Sequence, residues 1–214
     1  MEAILQRLKV ARVIAILRGK NPERLYHRGI ELAKMGCTAI EVTLDSNNAL
    51  QVIEKLRQDL DESILIGVGT LTDTTQVKAC VSAGAQFALS PIHPKDMIAR
   101  CQAEGLLAIP GVATPEELNT AIAEGAQIAK LFPSTDWTSD QLESVETPWM
   151  PVGGVDEQSL WTWLDAGAWC VGMGANLCGS DLNSLDASST NWAGGEEQRA
   201  RGIFMELQRQ RNAE

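Results

Sequence analysis

Short apolar runs recur at intervals of about 20–26 residues along this chain, and each precedes a polar segment with helical periodicity. Runs of this length are typical of buried strands. Strands that alternate with helices pair in parallel through right-handed crossovers, so the pattern predicts an α/β fold with a parallel sheet. Eight such units predict a closed (β/α)8 TIM barrel, with a doubly wound open sheet as the alternative. The eight runs are VIAILR (13–18), AIEVTL (39–44), LIGVGT (65–70), FALSP (87–91), LAIPGV (107–112), QIAKLFP (127–133), WMPVGGV (149–155) and WCVGMGANL (169–177).

The rest of the chain fits around this repeat. A length of 214 residues suits one barrel, and we expect residues 1–214 to form a single (β/α)8 domain. Residues 1–12 predict a short amphipathic N-terminal helix. Residues 178–195 are polar and break the repeat, so we expect an irregular loop there, at the surface or in a subunit contact, before the last helix at 196–211.

Helix boundaries carry their own signals. Five predicted helices end at a glycine just before the next strand, because glycine adopts the left-handed conformation at a helix end without a Cβ clash. Another helix is predicted to begin at Thr114, which offers a capping hydroxyl, with Pro115 in the first turn. The five glycines are Gly36, Gly84, Gly105, Gly125 and Gly167.

Charge and composition narrow the classes of partner. A formal net charge of −10 argues against nucleic acid, whereas a small anionic substrate needs only a few local cations. No apolar stretch approaches the roughly 18–20 residues of a membrane span, and the charged N-terminus does not resemble a signal peptide. The five cysteines form no CxxC pair and there are only two histidines, so we expect no metal site, reduced thiols and a cytoplasmic protein.

Two of the apolar runs contain a charged residue that the strand pattern directs into the barrel. Strand side chains alternate between the barrel interior and the surrounding helices. In AIEVTL the apolar Ile40 and Val42 suit the helix side, which turns Glu41 inward. In QIAKLFP the same alternation turns Lys130 inward together with Ile128. A buried charge costs free energy unless it is paired or neutralised, so both residues require an explanation.

The lysine and the glutamate admit two interpretations, a self-satisfying ion pair or a catalytic pair. Desolvation lowers the pKa of an amine, which can then attack a ketone to form a Schiff base, and Glu41 is the buried carboxylate that the pattern offers for proton transfer. Other polar or turn-forming residues follow the strands at the end where barrel enzymes hold their active sites. Their common location favours the catalytic interpretation. They include Arg18, Thr70, Pro91, Gly153 and Gly154.

The ordered set of motifs resembles one enzyme family over nearly the entire chain. The matching pieces are VIAILRG (13–19), AIEVTL (39–44), IGVGT (66–70), FALSP (87–91), IPGVATPEE (109–117), AKLFPS (129–134) and PVGGV (151–155). They are similar to the 2-keto-3-deoxy-6-phosphogluconate (KDPG) and 4-hydroxy-2-oxoglutarate (KHG) aldolases, which are class I lyases on a (β/α)8 barrel. The resemblance implies an enzyme of carbohydrate metabolism (the Entner–Doudoroff pathway) that needs no metal or organic cofactor and assembles as a homotrimer.

The resemblance also implies a role for each matching position. Lys130 would form the Schiff base with carbon 2 of a 2-keto acid, and Glu41 would transfer protons through a water. The substrate would be held by Arg18 and Thr70 at its carboxylate, by Pro91 and Phe132 around the imine, and by Gly153, Gly154, Gly174 and Ala175 at a phosphate. The products from KDPG would be pyruvate and glyceraldehyde 3-phosphate.

Three departures from the family pattern concern the substrate. Asp45 stands where KDPG-cleaving members have an arginine, Val152 replaces a threonine as in members acting on the galactonate derivative, and Ala175 replaces a serine. Each lost contact to a phosphate removes about 1–3 kcal/mol. KDPG cleavage is the first hypothesis. The alternatives are KHG cleavage to pyruvate and glyoxylate, oxaloacetate decarboxylation, cleavage of the 6-phosphogalactonate analogue and, remotely, a catalytically inactive barrel.

Overall fold

The structure, a computed structural model, describes residues 1–183 and 192–212 and has the expected (β/α)8 architecture. The predicted N-terminal helix is present as α1. The strands are β1 (Val13–Leu17), β2 (Ala39–Thr43), β3 (Leu65–Gly69), β4 (Phe87–Leu89), β5 (Leu107–Ile109), β6 (Gly111–Val112), β7 (Ala129–Leu131), β8 (Trp149–Pro151) and β9 (Val171–Met173). The helices are α1 (Glu2–Ala11), α2 (Pro22–Lys34), α3 (Ala49–Asp59), α4 (Val77–Ser82), α5 (Met97–Ala103), α6 (Pro115–Ala123), α7 (Glu157–Asp165), α8 (Ala175–Cys178) and α9 (Glu196–Arg211).

Pro110 divides the fifth apolar run into two strand segments, β5 and β6. Proline has no N–H to donate to a ladder, and the pairing changes partner across it: β5 pairs with β4, and β6 pairs with β7. The parallel strands therefore run in the orders β5-β4-β3-β2-β1-β9 and β6-β7-β8. A bridge between Val152 and Gly172 joins the ends of these two sheets, so the strands close into a barrel.

The buried side chains form two layers, one on each side of the sheet. Ile40 of β2 and Leu131 of β7 belong to the outer layer, between the strands and the helices. Ala39 and Ile128 belong to the inner layer, to which α1 also contributes Leu5, Leu8 and Ala11. The alternation predicted for AIEVTL and QIAKLFP is therefore confirmed. Because α1 precedes β1, it fills the amino-terminal end of the barrel and leaves the carboxyl ends of the strands open.

The helix boundaries follow the sequence signals. All five predicted terminal glycines have a positive φ, between 72° at Gly105 and 102° at Gly36. At the start of α6 the Thr114 hydroxyl accepts a hydrogen bond from the Glu117 N–H at 3.2 Å, and Pro115 occupies the first helical position. These local signals determine the residues at which these helices begin and end.

The connection between β7 and β8 differs from the prediction, because it contains no α-helix. It holds two short 3-10 helices instead, Ser134–Asp136 and Ser139–Leu142. The segment is rich in serine, threonine and aspartate, whose side chains bond to nearby backbone in competition with an α-helix. At the start of the second 3-10 helix, Thr138 and Gln141 form a capping box in which the Gln141 amide oxygen accepts from the Thr138 N–H at 2.8 Å.

The segment 178–195, predicted as an irregular loop, is only partly described. Cys178 ends α8, a 3-10 helix spans Ser180–Asn183, and residues 184–191 lie outside the described part of the chain. Cys178, Gly179 and Leu182 are buried, so this stretch packs against the barrel. Across the described ranges, no helix combines the length and the apolar character that a transmembrane span requires.

Candidate active site

A cavity of about 370 Å³ opens at the carboxyl ends of the strands. Glu41 projects into it from β2 and Lys130 from β7, while Arg18, Pro91 and Phe132 reach it from the residues that follow β1, β4 and β7. Of the predicted site residues, only Thr70 does not line the cavity. The structure thus brings together side chains from distant parts of the chain, as expected of the catalytic end of a barrel.

Lys130 is an amine in an environment that disfavours its charge. Its side chain is buried, and Nζ lies 4.6 Å from the centroid of the Phe132 ring. Burial lowers the pKa of Lys130, the negative charge of Glu41 opposes that shift, and the positive charge of Arg18 adds to it. The net direction is downward, which increases the fraction of neutral, nucleophilic amine at a given pH.

Glu41 is a buried carboxyl group that lines the cavity. It is 1% exposed, and its Oε2 has no hydrogen-bond partner in the described residues. Burial raises the pKa of Glu41, while Lys130 and Arg18 oppose the shift and Asp45 adds to it. No ion pair joins Glu41 to Lys130 in the described part of the chain, so the geometry does not support the interpretation as a self-satisfying ion pair.

Arg18 lies at the rim and is held by three oxygen atoms. Its Nη2 donates to Thr70 Oγ1 at 3.0 Å, and its Nε lies 3.4 Å from Thr43 Oγ1 and 3.3 Å from Asp45 Oδ2. Thr70 has a left-handed backbone with a φ of 58°, and its hydroxyl faces Arg18 instead of the cavity. Asp45, the acid that departs from the family pattern, therefore orients an arginine of the site.

The glycine-rich side of the cavity is built from the turns after β8 and β9. Gly153 and Gly154 have φ values of 87° and 81°, a conformation that glycine adopts without strain. Ser134 anchors this turn, because its N–H donates to the Val152 carbonyl at 2.8 Å and its hydroxyl donates to the Gly153 carbonyl. The turn after β9 supplies Gly174 and Ala175. Among the described lining residues, this side carries no cationic side chain.

Sequence reasoning missed part of this wall. Asn176, Gly179, Ser180 and Leu182 also line the cavity, and the last three fall in the segment that was predicted only as an irregular loop. A polar segment without periodicity gives no sign of which residues face inward. The signal that was available is its position, directly after the eighth strand, where barrel enzymes commonly place a binding loop.

Neither the histidines nor the cysteines add a metal site to this cavity. His93 Nε2 lies 3.1 Å from Glu124 Oε2, and His27 is an exposed residue of α2. The cysteines are buried free thiols, and burial raises the pKa of Cys37 to about 12. Within 1–183 and 192–212, no group of three or more histidine, cysteine, aspartate or glutamate side chains is arranged to hold a metal ion.

Comparison with known proteins identifies the family. The sequence profile described as "Aldolase: KDPG and KHG aldolase" matches residues 4–191. The 2-dehydro-3-deoxy-6-phosphogalactonate aldolase of Escherichia coli (strain K12) is 34% identical over 173 residues, which cover 77% of this chain and 83% of that protein. The solved "Native KDPGal structure" has a TM-score of 0.78 at 28% identity and covers 94% of this chain and 96% of its own. A protein cage designed by fusing symmetric oligomeric domains contains a chain with the same TM-score and identity, over 94% of this chain and 75% of its own. On the profile match and the identity to the Escherichia coli enzyme, this chain belongs to the KDPG and KHG aldolase family.

Proposed function

We propose that this chain is a class I aldolase that forms pyruvate through a Schiff base on Lys130. The observation that carries the proposal is a buried amine of lowered pKa in the cavity wall, in a site that also holds a buried carboxyl group of raised pKa. A structural ion pair would bring the two groups into contact. Here Lys130 and Glu41 form no ion pair, and both line the cavity.

The proposed reaction begins with the neutral amine of Lys130. It adds to carbon 2 of a 2-keto-3-deoxy sugar acid, and the carbinolamine loses water to give a protonated imine. Removal of the proton from the C4 hydroxyl breaks the C3–C4 bond, which releases an aldehyde while the bonding electrons move toward the iminium nitrogen and leave an enamine. Protonation at C3 followed by hydrolysis releases pyruvate and restores the free amine.

Glu41 is the proposed proton carrier for these steps. A raised pKa brings a carboxyl group closer to neutral pH, where it both donates and accepts protons efficiently. Glu41 lines the cavity and its Oε2 accepts no hydrogen bond from the described residues, so a water or a substrate hydroxyl is its proposed partner. Arg18, oriented by Thr70 and Asp45, is the proposed partner of the substrate carboxylate.

For the substrate we favour a 2-keto-3-deoxy-6-phospho sugar acid, with the galactonate form first and KDPG second. The order rests on Val152, which lines the cavity where KDPG-cleaving members have threonine, and on the phosphogalactonate aldolases among the relatives. The phosphate would face the backbone N–H groups of the turns that contain Gly153 and Gly174.

The dicarboxylate substrates are the weaker candidates because of the charges in the cavity. Arg18 and Lys130 are the cationic side chains among the described lining residues, and Asp45 already pairs with Arg18. KHG and oxaloacetate each carry a second carboxylate, which would have no side-chain cation of its own. Backbone N–H groups serve a phosphate better, since its oxygens accept several such bonds at once.

The first experiment tests the Schiff base. The protein is incubated with pyruvate and borohydride, and the adduct is located by intact mass and peptide mapping. We expect one pyruvyl adduct on Lys130 and none in Lys130→Ala, with Lys55→Ala, which removes a half-exposed lysine of α3, as the matched control. Failure of the folded wild-type protein to form an adduct would remove the aldolase assignment.

The second experiment ranks the substrates. Pyruvate release is measured with the two epimeric phospho sugar acids, their unphosphorylated forms, KHG and oxaloacetate. We expect kcat/KM to be highest for the 6-phosphogalactonate form, and we expect Val152→Thr to shift the preference toward KDPG. Equal turnover with and without phosphate would contradict a phosphorylated substrate, and a higher kcat/KM with KHG or oxaloacetate would favour those reactions instead.

We also propose that the protein assembles as a homotrimer. The proposal is supported by the family resemblance and by the related chain that was used as a domain of a designed symmetric cage. Native mass spectrometry at micromolar concentration tests it, and a monomer under those conditions would contradict it.

A further inference from the structure

A network of buried charges lies behind one wall of the cavity and takes no part in the chemistry proposed above. Arg24 and Arg28 of α2 are only 4% and 2% exposed, and both contact Asp181. Arg28 Nη2 lies 3.1 Å from both carboxylate oxygens of Asp181, and Arg24 Nη1 donates to the Asp181 backbone oxygen at 2.8 Å. Arg28 Nη1 also donates to the Cys178 carbonyl. Helix α2 thus holds both the side chain and the backbone of the segment after α8.

Further contacts involve Arg28 and the same segment. Trp192 stacks on Arg28, with 3.7 Å between the guanidinium carbon and the ring centroid. The carboxylate of Glu31 accepts from Trp192 Nε1 at 3.0 Å and from Arg28 Nε at 3.2 Å. Glu196 of α9 accepts from the Ser180 hydroxyl at 2.9 Å. The segment is therefore fixed between two helices.

The held segment forms part of the cavity wall. Gly179, Ser180 and Leu182 line the cavity between the turn after β9 and the loop that carries Arg18. A Cβ added at Gly179 would overlap the Arg28 guanidinium, and a Cβ added at Gly19 would overlap the Leu182 carbonyl. Both contacts are too close for any residue larger than glycine, so a shift of the network would move the wall.

We propose that Arg24, Arg28 and Asp181 are positioning residues for substrate binding. They fix the backbone of Gly179 and Ser180 against the part of the substrate that leaves as the aldehyde. Burying two guanidinium groups is not an efficient way to gain stability, since apolar residues do as well. An arginine adds orientation, because the N–H groups of its planar guanidinium group bond a carboxylate in one defined geometry. This inference rests on the proposed aldolase function.

The test separates the two halves of the active site. Asp181→Asn removes the negative charge that both arginines contact. Arg28→Lys keeps the positive charge at position 28 but removes the planar guanidinium group. Tyr26→Phe is the matched control, because it removes a 2.7 Å hydrogen bond to Asp59 from an exposed part of the same helix. Each protein is assayed for KM and kcat with the phospho sugar acid, for labelling of Lys130 by pyruvate and borohydride, and for thermal stability.

We expect both network variants to raise KM for the phospho sugar acid about ten- to a hundredfold, since a misplacement of one ångström has effects of this size. Pyruvate labelling should stay within about twofold of the wild type, because pyruvate lacks the aldehyde part. Tyr26→Phe should change neither value.

Two results would overturn the inference. One is an unchanged KM in folded variants, which would make the network purely structural. The other is a parallel loss of pyruvate labelling, which would mean that the network supports the whole site. If Asp181→Asn does not fold, Arg28→Lys decides alone, because it keeps the charges balanced. Absence of labelling in the wild type would reject the proposed function and this inference together. That result comes from the wild-type protein alone, so it is distinguishable from a failure of this inference, which only the variants can show.

Discussion

The carboxylate of Glu41 lies against the backbone of Gly69, in the space that the Cβ of any larger residue would occupy. Gly69 is the last residue of β3, which pairs with β2 along its whole length. A glycine inside a strand often marks such a close approach. The missing side chain of Gly69 therefore determines where the buried carboxyl group can stand.

Replacing Gly69 by alanine should displace Glu41 and impair catalysis. We expect kcat to fall about tenfold or more, because general acid–base catalysis contributes factors of 100 or more and depends on position. Overpacking should also lower the free energy of unfolding by about 1–3 kcal/mol. Steady-state kinetics and urea denaturation measure the two effects.

A second glycine gives the matched control for this substitution. Gly202 lies in α9, and a Cβ added there meets no atom within 4 Å. Gly202→Ala should therefore leave activity unchanged and raise the free energy of unfolding by about 0.5–1 kcal/mol. Wild-type kcat in Gly69→Ala would show that the position of Glu41 is not critical.

The pKa of Lys130 should respond in opposite directions to two substitutions. Burial is the main cause of its lowered pKa, the charge of Glu41 raises it, and the charge of Arg18 lowers it further. Glu41→Gln should therefore lower the pKa of Lys130, and Arg18→Met should raise it. The measurement is the pH dependence of Lys130 acylation by an amine-reactive reagent, read by peptide mass spectrometry.

An exposed lysine serves as the reference in the same experiment. The Lys78 side chain is 82% exposed and does not line the cavity, so its labelling should be the same in all three proteins. Shifts of the same sign in Glu41→Gln and Arg18→Met would contradict the assignment of these charges to the surroundings of Lys130.

The fold and the central pair of the site could be predicted because both depend on short-range patterns. The apolar repeat defined the strands, the terminal glycines defined the helix ends, and strand alternation turned Glu41 and Lys130 into the same interior. The contact of Glu41 with Gly69 was not predictable, since it depends on how two neighbouring strands are registered. The bond between Arg18 and Asp45 depends on side-chain rotamers, which periodicity does not encode.

The buried arginines show a different limit. Arg24 and Arg28 are four residues apart in α2 and lie on the same stripe as Leu32, which is buried. The spacing was visible, yet charged residues on a helix are usually solvent-facing. Their burial follows from the carboxylate of Asp181, more than 150 residues later in the chain, at a range where local patterns carry no information.

The start of α6 offers a test of stability that is independent of the site. Thr114→Ala removes the hydroxyl that accepts from the Glu117 N–H, and the loss of such a cap costs about 1 kcal/mol. We expect that decrease in the free energy of unfolding by urea, with unchanged activity. Thr120→Ala in the same helix is the control, and it should leave stability equal or slightly higher, because alanine is the better helix former. Equal losses in the two variants would mean that the cap contributes nothing specific.

The raised pKa of Glu41 should make stability depend on pH in a defined direction. A group whose pKa is higher in the folded state stabilises the fold fully below its unfolded value, here near 4.5, and this contribution is lost as the pH rises through the folded value. In Glu41→Gln the side chain at position 41 is neutral at every pH, so the stability of this variant does not fall for that reason as the pH rises. The free energy of unfolding of Glu41→Gln should therefore increase relative to that of the wild type as the pH rises from about 4.5 to 8. Urea denaturation of both proteins at several pH values measures the difference.

A difference that is constant with pH would mean that the folded protein holds Glu41 at its ordinary pKa. The proposed role of Glu41 as a proton carrier near neutral pH would then lose its physical basis.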